Sequence, residues 1–205
     1  MIGVFGGTFD PVHLGHLRIA LDALEQLPLE QVRLIPLAQA VHRDQPGTPA
    51  AFRLQMLKVA TEGRSDLVAD DREILRSGPS YTIDTLRSLR ADFPDQGLCL
   101  LLGGDAFGAF DTWRDPQGIL AIANIAVLQR PGHLPHTNPA VRQMLDDRQT
   151  ERLVAGVTGQ VVFCPVTQLE ISSSDIRDRL RGGRSIDYLV PDRVRDMILE
   201  RALYA

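Results

Sequence analysis

The chain opens with a strand–turn–helix segment, IGVFGGTFDPVHLGHLRIAL, which spans residues 2–21. Ile2–Phe5 is a short apolar run typical of a buried strand, and Leu14–Leu27 repeats apolar residues at helical spacing. A connection with two glycines and two histidines lies between them. Such a turn between a first strand and a first helix favours phosphate binding, because backbone N–H groups and the helix N-terminus attract anions.

The same alternation of strands and helices continues along the chain and predicts the fold class. Further strands are predicted at Gln31–Pro36, Leu67–Ala69, Leu98–Leu102, Ile122–Leu128 and Val161–Cys164, and further helices at about Pro49–Glu62, Ser80–Ala91, Pro116–Ala121, Pro139–Arg152, Ser174–Arg181 and Asp192–Leu203. Ser80 is the expected N-cap of its helix. Strands separated by helices pair in parallel, so we expect an open, mainly parallel α/β sheet flanked by helices. We expect one domain over residues 1–205, with a helical C-terminal part from about residue 171.

Composition excludes several classes of protein. Hydrophobic residues make up 44% of the chain and charged residues 23%, as in ordinary globular proteins. The net charge of -4 provides no electrostatic footprint for nucleic acid or anionic membranes, and no apolar run approaches the roughly 18 residues that span a bilayer. The N-terminus lacks a basic signal-peptide region. Cys99 and Cys164 lie in apolar runs and are expected to be buried, reduced thiols of a cytoplasmic protein.

The glycine-rich connection differs from two familiar phosphate-binding patterns. Gly3, Gly6 and Gly7 do not form the G-x-G-x-x-G fingerprint of dinucleotide-binding proteins. The Walker A loop requires a lysine before Ser or Thr, whereas Lys58, the one lysine of the chain, lies far from this turn. The sequence therefore favours neither a nicotinamide-dependent dehydrogenase nor a P-loop NTPase.

The two histidines of the connection are three residues apart at a helix start, which places both imidazoles on one face. Gly15 between His13 and His16 leaves room for a ligand near the backbone. This spacing also suits zinc, as does that of His133 and His136, but neither pair has a neighbouring cysteine pair or third ligand. We therefore expect no protein-held metal. Asp10, next to a proline, is expected to shape the turn.

A second motif, ISSSDIR, spans Ile171–Arg177 and opens a predicted helix. Serines at the N-cap and in the first turn present hydroxyl and N–H groups, and the guanidinium of Arg177 adds a planar cationic fork. Alone, this pattern also fits a well-capped helix with an i,i+4 charge pair. Combined with the first motif, it predicts a second phosphate-binding element.

Together, the two motifs resemble those of the nucleotidyltransferase superfamily, the adenylyl- and cytidylyltransferases, which are distant relatives of class I aminoacyl-tRNA synthetases. The resemblance implies a Rossmann-like nucleotidyltransferase fold and places His13, His16 and Arg177 at the reacting phosphates as catalytic residues. The ATP site that it implies is lined by Gly6, Gly7, Thr8, Phe9, Gly15, Gly103, Asp105, Ile171, Ser172, Ser173 and Ser174. Mg²⁺ is expected to be bound mainly through the ATP phosphates, since phosphate-bound Mg²⁺ needs few protein ligands.

The middle of the chain narrows the family. The segment DREILRSGPSYTIDTL, residues 71–86, resembles the corresponding segment of bacterial nicotinate-nucleotide adenylyltransferases, as do GGDA at residues 103–106, Trp113 and RPG at residues 130–132. This resemblance implies adenylyl transfer from ATP to nicotinate mononucleotide, which gives deamido-NAD and pyrophosphate in NAD biosynthesis. The candidate residues for the acceptor are Thr82, Thr85, Trp113, His42, Arg43 and Arg130.

The chemistry of the acceptor residues agrees with this family. The indole of Trp113 offers a flat face for a pyridine ring, and the hydroxyl of Thr82 or Thr85 can donate to the pyridine carboxylate, as can backbone N–H groups near Trp113. Asp105 follows a buried strand and is placed to accept hydrogen bonds from ribose hydroxyls. One departure is the stretch QAVHRD at residues 39–44, where family members often carry N-x-P-P-H-K.

Three questions stay open at the level of sequence. The acceptor could instead be nicotinamide mononucleotide or, less favoured by the residues 81–86 and Trp113, phosphopantetheine. A nucleotide-binding sensor without turnover is the alternative of a different class, although the pair His13 and His16 argues against it. The oligomeric state is not fixed, and a homo-oligomer is compatible with the sequence.

Overall fold

The computed structural model describes residues 1–40, 45–129 and 138–204 of the chain. Within these ranges, six strands form one sheet in the order β3-β2-β1-β4-β5-β6. The strands are β1 Ile2–Gly7, β2 Gln31–Pro36, β3 Leu67–Ala69, β4 Leu98–Gly103, β5 Asn124–Gln129 and β6 Val161–Pro165. Every neighbouring pair is parallel. The predicted parallel α/β sheet is therefore confirmed, and its strand order reverses between β1 and β4.

Helices connect the strands on both faces of the sheet. The described residues contain α1 Leu14–Gln26, α2 Ala50–Ala60, α3 Arg72–Leu75, α4 Thr82–Asp92, α5 Gly104–Gly108, α6 Pro116–Ile122, α7 Pro139–Arg148, α8 Ser173–Arg181 and α9 Asp192–Glu200, and a 3₁₀ turn at Phe110–Thr112. The sequence predicted all of these except α3, α5 and the 3₁₀ turn. These three span five residues or fewer, too short to show a helical period.

Two apolar layers cover the sheet. Successive side chains of a strand point to opposite faces, so Leu98, Leu100 and Leu102 of β4 enter one layer, whereas Cys99 and Leu101 enter the other. The first layer packs against α4, α5, α6 and α7, and the second against α1, α2, α8 and α9. Burial on both faces explains why the LCLLL stretch is continuously apolar.

Both cysteines lie in the layer beneath α1. Cys99 and Cys164 are buried and free, as predicted. Burial raises the pKa of the Cys99 thiol to about 12 and that of Cys164 to about 11, which keeps both protonated and unreactive at neutral pH. Among the helices described, none is both long and apolar enough to cross a bilayer.

The prediction that Ser80 caps α4 is wrong. The helix begins at Thr82, Tyr81 occupies the cap position, and no side chain caps it. The Ser80 hydroxyl oxygen instead accepts hydrogen bonds from the backbone N–H groups of Ala38 (3.0 Å) and Gln39 (3.3 Å). Ser80 thereby joins the segment before α4 to the loop that follows β2, and both border the carboxyl end of the sheet.

Candidate active site

The loop between β1 and α1 folds back over its own glycines. Phe9 has φ of 50°, in the left-handed region that bulky residues rarely adopt, and its ring is 1% exposed. A Cβ on Gly7 would lie 2.9 Å from that ring, so only glycine fits there. The sequence placed Phe9 at the ATP site, but its side chain lies in the core because the backbone turns it inward. Backbone strain of this kind is typical of functional loops.

The two histidines form a reciprocal cap at the start of α1. His13 is the N-cap, and its Nδ1 accepts from the His16 N–H at 3.4 Å, while His16 Nδ1 accepts from the His13 N–H at 3.3 Å. The rings stack with centroids 3.6 Å apart. Since both Nδ1 atoms are acceptors, the neutral rings carry their hydrogens on Nε2. The pair therefore presents two Nε2–H donors.

Both imidazoles are neutral at physiological pH. Burial lowers the pKa of His13 to about 4. Burial, and then the neighbouring His13, lower the pKa of His16 to about 3. The histidines can thus donate hydrogen bonds to a phosphate without carrying charge, and the positive charge at this site has to come from other groups.

Gly15 lies under the His13 ring. A Cβ at this position would be 3.0 Å from His13 Nδ1 and 3.8 Å from the carbonyl oxygen of Ile171. The sequence predicted that a ligand would approach the backbone at Gly15. In the structure, the atoms nearest to this position belong to His13 and Ile171. A methyl group at this position would crowd the His13 ring, whereas its distance from the Ile171 oxygen would be an ordinary van der Waals contact.

The second motif is bonded directly to the first. Ser173 Oγ donates to the carbonyl oxygen of Pro11 at 2.9 Å. The Arg177 guanidinium donates to the carbonyl oxygen of Asp10 at 2.6 Å and to Ser174 Oγ at 3.3 Å. The structure thus brings together two motifs that the sequence could only pair by resemblance.

The alternative interpretation of ISSSDIR, a well-capped helix with an i,i+4 charge pair, is confirmed. Ser172 is the N-cap of α8, and its hydroxyl accepts from the Asp175 N–H at 3.1 Å. Asp175 pairs with Arg179 at i,i+4, at 2.6 Å. Capping leaves Ser173 and Arg177 free to reach the β1–α1 loop, so one short helix is both locally stabilised and part of the site.

A buried arginine supports the loop, and the sequence analysis missed it. Arg53 is 1% exposed, and its guanidinium donates to the carbonyl oxygens of Thr8 (2.7 Å), Leu37 (2.7 Å) and Thr48 (3.0 Å). It therefore joins the loops after β1 and β2 to the start of α2. The one signal in the sequence is an arginine within the otherwise apolar stretch of α2.

Asp10 faces the interior. It is 3% exposed, and its Oδ1 accepts a hydrogen bond from the Tyr204 hydroxyl at 2.6 Å. Tyr204 was not among the candidate residues, because no pattern in the sequence links it to residue 10. The expectation that Asp10 shapes the turn agrees with this buried, hydrogen-bonded position.

Two adjoining cavities open near the carboxyl ends of β1, β2 and β4, where the strand order reverses. The larger, about 400 Å³, is lined by residues that include Tyr81, Asp105 and Arg114, and the smaller, about 260 Å³, by Gly6, Gly7, Thr8 and Gly103, among others. Leu37, Ser80, Thr82, Ala106 and Trp113 line both.

Aromatic rings form part of the wall of the larger cavity. Trp113 is half-buried and packs against Phe110, with ring centroids 5.7 Å apart. The Arg114 guanidinium lies over the Tyr81 ring, 4.4 Å from its centroid. The backbone N–H of Trp113 donates to the carbonyl oxygen of Phe110 at 3.1 Å, so this one of the backbone N–H groups near Trp113 that were predicted to bind the acceptor carboxylate already has a partner.

The two candidate threonines differ in their surroundings. Thr82 lines both cavities. Thr85 is 2% exposed, and its hydroxyl donates to Glu73 Oε1 at 2.6 Å. Thr85 Oγ1 in turn accepts from the Arg76 guanidinium at 3.4 Å. The hydroxyl hydrogen of Thr85 is therefore already used, which leaves Thr82 as the better donor. Glu73, buried beside the cavity, was missed although it lies in the quoted segment.

Several predicted residues cannot be placed. His42, Arg43 and Arg130 lie outside the described residues, as do His133 and His136. In the part of the chain that is described, no three His, Cys, Asp or Glu side chains lie close enough together to hold a metal ion.

Comparisons with known proteins agree on one family. The model of the family described as Cytidylyltransferase-like matches residues 4–179. A protein of Methylococcus capsulatus named "Probable nicotinate-nucleotide adenylyltransferase" is 43% identical, and the match covers 100% of both chains. Proteins of the same name from Hydrogenovibrio crunogenus (41% identical, 100% of this chain and 97% of the other) and Pseudomonas syringae pv. tomato (45%, 99% and 93%) are similar throughout.

Solved structures share the fold. The nicotinic acid mononucleotide adenylyltransferase of Plasmodium falciparum, complexed with NaAD, superposes with a TM-score of 0.72 at 19% sequence identity, and the match covers 99% of this chain and 96% of the other. A second structure of that protein, complexed with APC, gives a TM-score of 0.69 at 18% identity, covering 99% and 96%. At such identities, the likeness establishes the architecture of the sheet and its helices.

Proposed function

The chain belongs to the cytidylyltransferase-like family and, within it, to the nicotinate-nucleotide adenylyltransferases, and from this premise we propose how its own residues carry out the reaction. The reaction joins ATP and nicotinate mononucleotide into deamido-NAD and pyrophosphate, a step of NAD biosynthesis. One observation supports the location of the site above all others. Ser173 and Arg177 are bonded to the carbonyls of Pro11 and Asp10, directly beside the His13–His16 pair.

The acceptor itself supplies the nucleophile. The second pKa of a phosphate monoester is about 6, so nicotinate mononucleotide is largely dianionic at neutral pH. One of its phosphate oxygens attacks the α-phosphorus of ATP, and the bond from that phosphorus to the oxygen of the departing pyrophosphate breaks. No side-chain nucleophile is needed, and catalysis consists of positioning two polyanions and stabilising the charge at the transferred phosphoryl group.

The histidine pair acts as a preorganised set of neutral donors. The Nε2–H groups of His13 and His16 bond to phosphate oxygens of ATP, and their geometry is fixed before substrate arrives because each ring caps the other's backbone. Arg177 provides the positive charge. Two of its N–H groups hold Asp10 and Ser174, and its remaining donors are available to phosphate.

Magnesium enters as part of the substrate. The described residues offer no cluster of metal ligands, and Mg²⁺ that is bound through nucleotide phosphates keeps several waters and needs few protein carboxylates. The substrate that we assign to the His13, His16 and Arg177 region is therefore ATP with its bound Mg²⁺.

The adjoining cavities take nicotinate mononucleotide. The pyridine ring stacks on Trp113, and the Thr82 hydroxyl donates to the pyridine carboxylate, a charge-assisted bond that an amide would not receive. Asp105, which is exposed in the larger cavity, accepts from ribose hydroxyls. The wall of the larger cavity contains two aromatic rings and a few polar groups. Such a lining suits a heteroaromatic ligand.

Pyrophosphate release tests the assignment. Purified protein with ATP and Mg²⁺ is expected to release pyrophosphate far faster with nicotinate mononucleotide than with nicotinamide mononucleotide or phosphopantetheine. Equal rates with the acid and the amide would contradict the acceptor assignment. Nucleotide binding without release from any acceptor would instead favour a sensor.

A further inference from the structure

Tyr204 connects a distant part of the chain to the loop that carries the proposed site. It follows α9, its ring packs against the apolar layer beneath α1, and its hydroxyl donates to Asp10 Oδ1 at 2.6 Å. Asp10 lies three residues before the His13 cap, within GGTFDPVHLGH. The bond is therefore close in sequence to the catalytic histidines, although Tyr204 lies outside both motifs.

Asp10 is the point where several supports of the loop meet. Its carbonyl oxygen accepts from Arg177, and the next carbonyl, of Pro11, accepts from Ser173. Arg53 holds the carbonyl of Thr8 on the other side. These three contacts hold the backbone, whereas the Tyr204 contact holds the carboxylate of Asp10 and thus fixes how this residue is rotated.

The Tyr204–Asp10 bond is short and lies away from solvent. Burial and the hydrogen bond to Asp10 raise the pKa of the Tyr204 phenol, so it stays protonated and keeps donating at any physiological pH. The Asp10 side chain is 3% exposed, so water has little access to replace the Tyr204 hydroxyl as its partner. Among the described residues, the Tyr204 hydroxyl is the donor that bonds to this side chain, so without it the buried group would turn towards another donor.

We propose that Tyr204 is a positioning residue for adenylyl transfer: by holding the Asp10 carboxylate, it sets the Asp10 carbonyl that receives Arg177 and the turn that leads to His13 and His16. Tyr204 does not touch substrate and acts through Asp10. The inference rests on the proposed function, and it adds to it a residue that neither motif contains.

Tyr204→Phe removes the hydroxyl and keeps the ring. We expect kcat to fall about tenfold, which corresponds to about 1.4 kcal/mol of barrier. The KM for nicotinate mononucleotide should change less than about twofold, because the acceptor cavities are lined by other residues. Tyr188→Phe is the matched control: Tyr188 is 86% exposed, and its variant should keep the wild-type kcat.

A double-variant cycle separates positioning from general stabilisation. If Tyr204 acts through Asp10, then Tyr204→Phe combined with Asp10→Asn should lower kcat no further than Asp10→Asn alone. If the fold-loss of kcat in the double variant equalled the product of the two single fold-losses, and the melting temperatures fell in parallel, the proposal would be overturned. Tyr204 would then have a structural role only.

A spectroscopic measurement tests the role of Tyr204 independently of any activity assay. In protein labelled with ¹⁵N-histidine, the His13 and His16 ring resonances, assigned by substitution, should shift in Tyr204→Phe and stay fixed in Tyr188→Phe. Unchanged His13 and His16 resonances in Tyr204→Phe would overturn the proposal. If the wild-type protein turned over no acceptor, the proposed function would fail, and these resonances would still decide the role of Tyr204.

Discussion

Arg177 and Asp10 are 167 residues apart in the chain and are joined by a hydrogen bond of 2.6 Å from the guanidinium to the Asp10 carbonyl. The bond places the cation of the second motif against the turn that leads to the neutral His13–His16 pair. One site thereby combines two uncharged donors with the permanent charge of Arg177.

His16→Ala should lower kcat by two orders of magnitude or more while the protein still folds, since a preorganised donor to the reacting phosphate is worth about 10²–10³ in rate. His16→Gln, which keeps a neutral N–H donor, should retain more turnover than His16→Ala. Initial rates of pyrophosphate release and circular dichroism measure both effects. Near-normal turnover in His16→Ala would remove this residue from the mechanism.

The buried histidines should make the protein less stable in acid. Their pKa values are about 4 and about 3 in the folded protein and about 6.5 in the unfolded chain, so the unfolded state takes up protons first as the pH falls. These groups should therefore leave the free energy of unfolding unchanged well above pH 6.5 and should lower it as the pH falls from about 6.5 to about 3.

Urea denaturation at pH 7, 6 and 5 measures this acid effect. In the double variant His13→Gln and His16→Gln, the free energy of unfolding should fall less steeply with pH, because glutamine does not titrate. Parallel pH dependences in the variant and the wild type would show that other groups cause the loss.

Gly15→Ala should lower kcat several-fold with little change in melting temperature. The new methyl would lie 3.0 Å from His13 Nδ1, so the His13 ring has to move and its stacking on His16 changes. Gly47→Ala is the control, because no atom of the described residues, its two chain neighbours apart, lies within 4 Å of a Cβ there, and turnover should be normal. If the two variants were equally active, a displacement of the His13 ring by the added methyl group would not affect turnover.

Arg53→Met should be strongly destabilising. It leaves the carbonyls of Thr8, Leu37 and Thr48 without their donor, and hydrogen bonds from a charged group contribute about 1.5–3 kcal/mol each. We expect a loss of about 3 kcal/mol or more in chemical denaturation. Arg64→Met, which removes an exposed ion pair with Asp66, should cost below about 1 kcal/mol. A similar cost for both variants would contradict the supporting role of Arg53.

Thr82→Val and Thr85→Val should affect different properties. Thr82→Val should raise the KM for nicotinate mononucleotide and reduce the preference for the acid over the amide, with stability nearly unchanged. Thr85→Val should mainly destabilise the fold, because buried Glu73 loses its donor at 2.6 Å. Steady-state kinetics with both acceptors, together with thermal melts, separate the two. If Thr85→Val lost the preference for the acid and Thr82→Val kept it, Thr85 rather than Thr82 would be the residue that binds the carboxylate.

Much of the fold follows from local pattern. The apolar run of β4 and the helical spacing of α1 are properties of neighbouring residues, and the structure has them where the sequence predicts them. The His13–His16 pair is equally local, since two histidines three residues apart at a helix start share a face. Short elements such as α5 were missed because five residues carry no period.

The sequence by itself determined the parallel sheet, the positions of the GGTFDPVHLGH and ISSSDIR motifs, and the histidine pair, because each depends on residues that are near one another in the chain. Only the tertiary structure decided what supports them: Arg53 under the Thr8 carbonyl, Tyr204 on the Asp10 carboxylate, and Glu73 on the Thr85 hydroxyl. The physical reason is that a buried polar group has to find a partner wherever the fold brings one within hydrogen-bond distance, and that distance is set by packing rather than by spacing in the sequence.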